Sequence, residues 1–214
     1  MSDDELKVEL SQITTELYRA GLVTAMGGNI SVRSSTQPDC SWITPSQIFK
    51  GHLKPEQMIM IDREGKKIRG DGNPSMESVY HAGVMKSRPD INAVVHTHAP
   101  LSTIFGMCDL EVLPVSTEAV YCMSMPVIPF YPGGSTELAQ AVIEQVGQTK
   151  AIGAFLRNHG LITVGKSLRE AADNSYMVEH VVDILLKIKM AGLSPSQIPE
   201  EMIKYIIQSG GALY

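Results

Sequence analysis

Residues 91–98 read Ile91-Asn92-Ala93-Val94-Val95-His96-Thr97-His98, and the fold can be worked out from this run in both directions. The apolar part reads as a strand. Before it, Pro74 and Ser75 open a helix that runs to about Ser87 and stops ahead of Pro89. After it, Pro126-Val127-Ile128-Pro129-Phe130 is short and extended, and its prolines suit an edge position. A helix is expected from Glu137 to Val146. Residues 151–156 read as a buried strand, and residues 161–164 resume it after Asn158-His159-Gly160. Ser167 and Glu170 have capping-box spacing and start the longest helix, to about Met190, with Gly192 as its stop. Towards the N-terminus, Leu6, Leu10, Ile13 and Leu17 fall at helical spacing ahead of Gly21. Residues 30–32, 42–44 and 58–61 read as further strands, and residues 62–65 as a hairpin turn. Strands joined by hairpins, with helices between them, predict a mixed α/β sandwich. A doubly wound parallel sheet is not expected, because regular βαβ alternation is absent.

The chain has 214 residues, enough for one domain and for a sizeable core without disulfides. Its 18 basic and 23 acidic residues give a net charge of −5, and no basic run is present. A nucleic-acid partner is therefore not expected. No apolar stretch reaches the ~18 residues that cross a bilayer, so no membrane partner is expected either. The acidic start, Met1-Ser2-Asp3-Asp4-Glu5, does not read as a signal or transit peptide. Three scattered cysteines fit a reducing cytoplasm better than a disulfide framework.

His96 and His98 carry the chemistry. Side chains two apart on a strand share a face, so two imidazoles stand side by side on a rigid support. A lone His-x-His pair is a weak metal signal. His159, in the turn between two apolar strands, is a third candidate, and Gly160 would allow the turn that aims it. Glu77, on the first turn of the helix after Ser75, is a fourth. Three imidazoles with a carboxylate or water suit Zn²⁺ in tetrahedral geometry. The plainer reading of Glu77 is a first-turn carboxylate favoured by the helix dipole. His52, His81 and His180 read as structural or surface residues, with His81 spaced to pair with Glu77 on one helix face. Neither His-Glu-x-x-His nor Cys-x-x-Cys occurs.

Gly27-Gly28-Asn29-Ile30-Ser31, Ile43-Thr44-Pro45-Ser46, Pro74-Ser75-Met76-Glu77, His96-Thr97-His98 and Asn158-His159-Gly160 occur in that order. Together they resemble the zinc-dependent class II aldolase family, which includes fuculose-phosphate and rhamnulose-phosphate aldolases, ribulose-phosphate epimerase and the adducin head domain. The resemblance runs from about residue 5 to 190. It implies one class II aldolase/adducin-like domain over residues 1–214. The implied fold is a three-layer αβα sandwich with a largely antiparallel central sheet, assembled as a homotetramer with sites near subunit interfaces. By the same resemblance His96, His98 and His159 are the metal ligands, with Zn²⁺, Mn²⁺ or Co²⁺ as the ion. Glu77 contacts the metal at rest and acts as the base. Gly28, Asn29, Thr44 and Ser75 line the phosphate pocket of a small-molecule substrate.

The activity so implied is carbon–carbon cleavage through a metal-stabilised enediolate, in an aldolase of carbohydrate metabolism. Three positions depart from the fuculose-phosphate pattern: Met76 replaces a serine, Gln47 replaces a glycine, and Glu118 lies near the place of a catalytic tyrosine. Tyr121 lies close to that place, and Tyr205 and Tyr214 are the candidates for the family's other catalytic tyrosine, which the resemblance puts in the C-terminal tail. Family members with such changes include decarboxylases of oxo- or aromatic acids, which use the same electron sink, and a sugar-phosphate dehydratase. A non-catalytic adducin-like module would not need the ligand set.

Overall fold

A computed structural model of the chain describes residues 1–209. Helix α1 spans Asp3–Arg19; Ser2 and Glu5 cap it reciprocally, and Leu10, Ile13 and Leu17 form its buried face. Strands β1 (Asn29–Arg33), β2 (Ser41–Ile43), β3 (Ile59–Ile61) and β4 (Lys67–Arg69) follow. Helix α2 (Ser78–Ser87) leads into β5 (Ala93–Thr97), then α3 (Pro100–Met107) and α4 (Thr117–Cys122). The chain continues through β6 (Val127–Ile128), α5 (Thr136–Val142), β7 (Gly153–Leu156) and β8 (Gly160–Gly165). It closes with α6 (Leu168–Met190) and α7 (Glu200–Gln208).

The eight strands form one sheet in the order β4-β3-β2-β1-β5-β8-β7-β6. Every pairing is antiparallel except β6 with β7. Strand β6 lies at an edge, where its flanking prolines leave no ladder bond unmade. Side chains alternate across the sheet. Ile30, Val32, Ala93 and Val95 therefore pack on α1 and the start of α6. Val94, Ile162 and Val164 point the other way, onto α2 and α5. Phe155 and Leu161 meet α3, α4 and the later turns of α6. The result is a three-layer αβα sandwich with a mostly antiparallel sheet. Among the described residues, no helix is long and apolar enough to cross a membrane.

Several local expectations change. Helix α2 begins at Ser78, so Glu77 is its N-cap residue, and its side chain makes no capping bond. The helix expected from Glu137 to Val146 is α5 followed by a widened π turn, Ile143–Gly147. The Glu170 carboxylate accepts from Lys166 N at 2.8 Å, one residue before the Ser167 cap, so the expected box is only half formed. Helices α3 and α4 are short and carry no long apolar period of their own; α7 is also unexpected, although Met202, Ile203, Ile206 and Ile207 fall at helical spacing in it.

Gly160 is needed for a reason other than the one expected. The left-handed residue of the 157–159 turn is Asn158, at φ 57°, and asparagine tolerates that region. A Cβ on Gly160 would instead fall 2.2 Å from the Thr97 carbonyl oxygen. Gly160→Ala should therefore lose about 1–3 kcal/mol of stability, the usual scale of overpacking, read from urea denaturation. Unchanged stability would mean that β5 and β8 separate freely at this point.

Candidate metal centre

Strand register builds the site. In the β1–β5 pair Asn29 lies opposite His96, and in the β5–β8 pair His96 lies opposite Ile162. The turn before β8 then carries His159 to the same end of the sheet. One ring nitrogen from each of His96, His98 and His159 lies within 4.8 Å of the others. His96 is fully buried, and its Nδ1 is 3.0 Å from the Leu161 carbonyl. A carbonyl only accepts, so Nδ1 carries the proton and the Nε2 lone pair faces the other rings. His98 Nε2 stands 3.1 Å from His96 Nε2. Burial pushes the His96 pKa down to about 4 and lowers that of His98. His96 is thus neutral at pH 7, the state a metal ligand requires.

Glu77 enters from the start of α2 and is buried. Its Oε2 accepts from Asn29 Nδ2 at 2.8 Å and from the Tyr80 hydroxyl at 3.0 Å. The same oxygen is 3.4 Å from His96 Nε2, and Oε1 is 3.6 Å from His159 Nε2. Oε1 is buried without a hydrogen-bond partner among the described residues. Burial pushes this carboxyl up, but the His96 imidazole, the Asn29 amide, the His159 imidazole and the Tyr80 hydroxyl outweigh it and hold the group at about 2. His96 carries no charge in neutral solution, so there the Asn29 and Tyr80 bonds are what favour the carboxylate.

Asn29 is itself held. Its Oδ1 accepts from His81 Nε2, and His81 Nδ1 takes the Ser31 hydroxyl at 2.7 Å. Burial drives the His81 pKa down to about 3, so the ring is neutral and one tautomer serves both bonds. His81 is therefore structural, as expected. It reaches Glu77 through Asn29 rather than by pairing on the helix face.

Gly28, Asn29, Ser75, Glu77, His98 and His159 line one cavity of about 150 Å³. His96 does not line it and lies fully buried behind His98, whose Nε2 is 3.1 Å from its own. Gly27 stands so close that a Cβ there would lie 2.5 Å from His98 Nδ1. Thr44 does not join the cavity: it is fully buried, and its hydroxyl accepts from Ile30 N at 3.2 Å. Met76 lies on the rim, 70% exposed. Tyr121 and Tyr205 do not line the cavity, Tyr205 being 65% exposed on α7, and Tyr214 lies outside the described residues. Tyr80 was missed in the sequence, although its i+3 spacing from Glu77 was a readable signal. Lys50, also in the lining, gave none.

This donor set fits a divalent cation. Three imidazoles converge, one with a fixed tautomer, and an orphaned carboxylate oxygen stands beside them.

The family model described as Class II Aldolase and Adducin N-terminal domain matches residues 8–186. An L-fuculose phosphate aldolase of Methanococcus maripaludis is 32% identical over 177 residues, covering 82% of this chain and 93% of that protein. A 3-oxo-tetronate 4-phosphate decarboxylase of Escherichia coli is 29% identical over 190 residues, covering 86% of this chain and 87% of that one. The crystal structure of YgbL from Klebsiella pneumoniae superposes with a TM-score of 0.87 at 24% identity, covering 96% of this chain and 99% of that one.

Proposed function

The chain belongs to the class II aldolase and adducin N-terminal domain family, and from that premise we propose that it is a metal-dependent lyase of the aldolase type. Its substrate is a small phosphorylated hydroxy- or oxo-compound, cleaved at the carbon–carbon bond beside a carbonyl. The observation that carries this reading is the convergence of three ring nitrogens within 4.8 Å beside a buried, unpartnered carboxylate oxygen.

His96, His98 and His159 would hold the cation, which supplies Lewis-acid polarisation of the substrate carbonyl. Zn²⁺ suits this donor set, and Mn²⁺ or Co²⁺ can use the same ligands. Glu77 carries the proton. Asn29 and Tyr80 fix Oε2, which leaves Oε1 as the atom that accepts and returns it. In aldol formation it removes the proton on the carbon next to the carbonyl; in cleavage it gives that proton back. The phosphate is argued from the relatives, because both the aldolase and the decarboxylase named above act on phosphorylated compounds by name.

Decarboxylation of an oxo-acid is the second reading. The 29% identity to the Escherichia coli decarboxylase over most of both chains favours it. So does Glu118 near the place of the aldolase tyrosine, because loss of CO₂ leaves no aldehyde oxygen to protonate. We read the chain as one family domain, working in the cytoplasm as a homotetramer.

A substrate panel with metal present tests the reading. It should contain phosphorylated ketoses, 4-hydroxy-2-oxo acids and β-oxo acids, with aldehyde and CO₂ release followed separately. Aldehyde release from a phosphorylated ketose is the expected result. CO₂ release alone would move the assignment to the decarboxylase, and no turnover of any member would remove the lyase reading.

A further inference from the structure

Lys50 lines the same cavity as His98 and His159. It is only 1% exposed, and it lines the same space as Gly28, Ser46, Ser75 and Glu77. Its Nζ donates to the Pro45 carbonyl at 2.7 Å. No carboxylate among the described residues lies within 4 Å of it, so two of its three donors have no anionic partner. The loop is shaped to put it there. Gln47 takes a left-handed φ of 56°, a conformation a side chain normally avoids, and Lys50 N donates to Ala25 O at 2.9 Å. Burial holds the Lys50 pKa down to about 8, which leaves most of it protonated at neutral pH.

A buried, unpaired ammonium destabilises a protein and would be out of place in a core. Beside a cavity it is a binding group waiting for an anion. Ser75 reinforces this: its oxygen accepts from Glu77 N at 3.2 Å, which leaves the hydroxyl proton free to donate towards the same space.

We propose that Lys50 is the specificity-determining cation of this site, binding the phosphate of the substrate together with the Ser46 and Ser75 hydroxyls. The inference rests on the lyase reading and deepens it. It explains how a cradle altered by Gln47 and Met76 keeps its preference for a phosphorylated compound: the charge comes from a lysine instead of from small residues alone.

The test uses the full chain and inorganic phosphate as the probe, with thermal melting read with and without added zinc. The wild-type protein and Lys50→Arg should melt higher when phosphate is added, and acetate should have much less effect. Lys50→Met should melt higher than wild type without phosphate, because a buried charge has gone, and phosphate should not move it. If Lys50 were only a structural donor to Pro45, the methionine variant would melt lower. With the zinc-loaded enzyme, Lys50→Met should raise KM for the phosphorylated substrate by about 10- to 100-fold, the scale of a charge-assisted hydrogen bond. The KM for an unphosphorylated analogue should move much less than that for the phosphorylated substrate. An undiminished phosphate shift in Lys50→Met, or an equal shift from acetate in the wild type, overturns the proposal. Should no panel member turn over, the lyase reading falls while the melting curves still decide the role of Lys50.

Discussion

Replacing His96 or His98 by alanine is expected to remove most bound divalent metal and nearly all activity, while far-ultraviolet circular dichroism keeps the wild-type shape. A site of three imidazoles loses its tetrahedral geometry when one is deleted, because the remaining two and a mobile water do not enclose the ion. The two variants should differ in stability. His96 is fully buried and donates to the Leu161 carbonyl, so His96→Ala leaves both a cavity and an acceptor without its donor. A loss of about 1–3 kcal/mol is expected from the unpaired group. His98 is half-buried with no backbone bond of its own, so with metal removed from both proteins its replacement should scarcely change the melting curve. Elemental analysis of the purified proteins is the check. Stoichiometric metal retained in both variants would sink the ligand assignment, whatever happened to the rates.

Glu77→Gln should behave in the opposite way. It should keep its metal and lose turnover by about 10²–10⁴, the scale of a general acid–base group. The amide has the carboxylate's shape. Its one oxygen can accept from Asn29 Nδ2 and the Tyr80 hydroxyl, as Oε2 does now. That leaves an amide nitrogen where Oε1 stands, 3.6 Å from His159 Nε2. A nitrogen with two hydrogens cannot take a proton, so the fold is kept and the chemistry stops. Single-turnover rates with metal content measured on the same sample separate the two effects. Near-wild-type rates would leave Glu77 as an N-cap residue with no part in the reaction.

Much of the architecture was legible because its signals are local. The apolar run before His96, the Ser167 cap and the glycine stops at 21 and 192 each span only a few residues. The pairing of His96 with His98 is also local, since it follows from the strand period of two. Five short motifs in order were enough to suggest the family.

Parts of the site were not legible, and the reasons differ. Thr44 belongs to a motif but turns its hydroxyl into the sheet, where it accepts from Ile30 N. Motif membership gives the position of a side chain along the chain, not its direction. Lys50 reads as an ordinary loop lysine. Its burial, its backbone bond to the Ala25 carbonyl and its Nζ bond to the Pro45 carbonyl arise only in the folded chain.

The sequence by itself determined a mixed α/β sandwich, the shared face of His96 and His98, and the chemical type of the donors. These depend on periods and caps within one element, where covalent spacing sets the geometry. The tertiary structure alone decided that Glu77 stands beside the histidines instead of capping its own helix, that Asn29 is locked between Glu77 and His81, and that among the described residues Lys50 has no carboxylate partner. Asn29 and Glu77 are 48 residues apart, and such contacts exist only once sheet register and loop closure have chosen which distant residues meet.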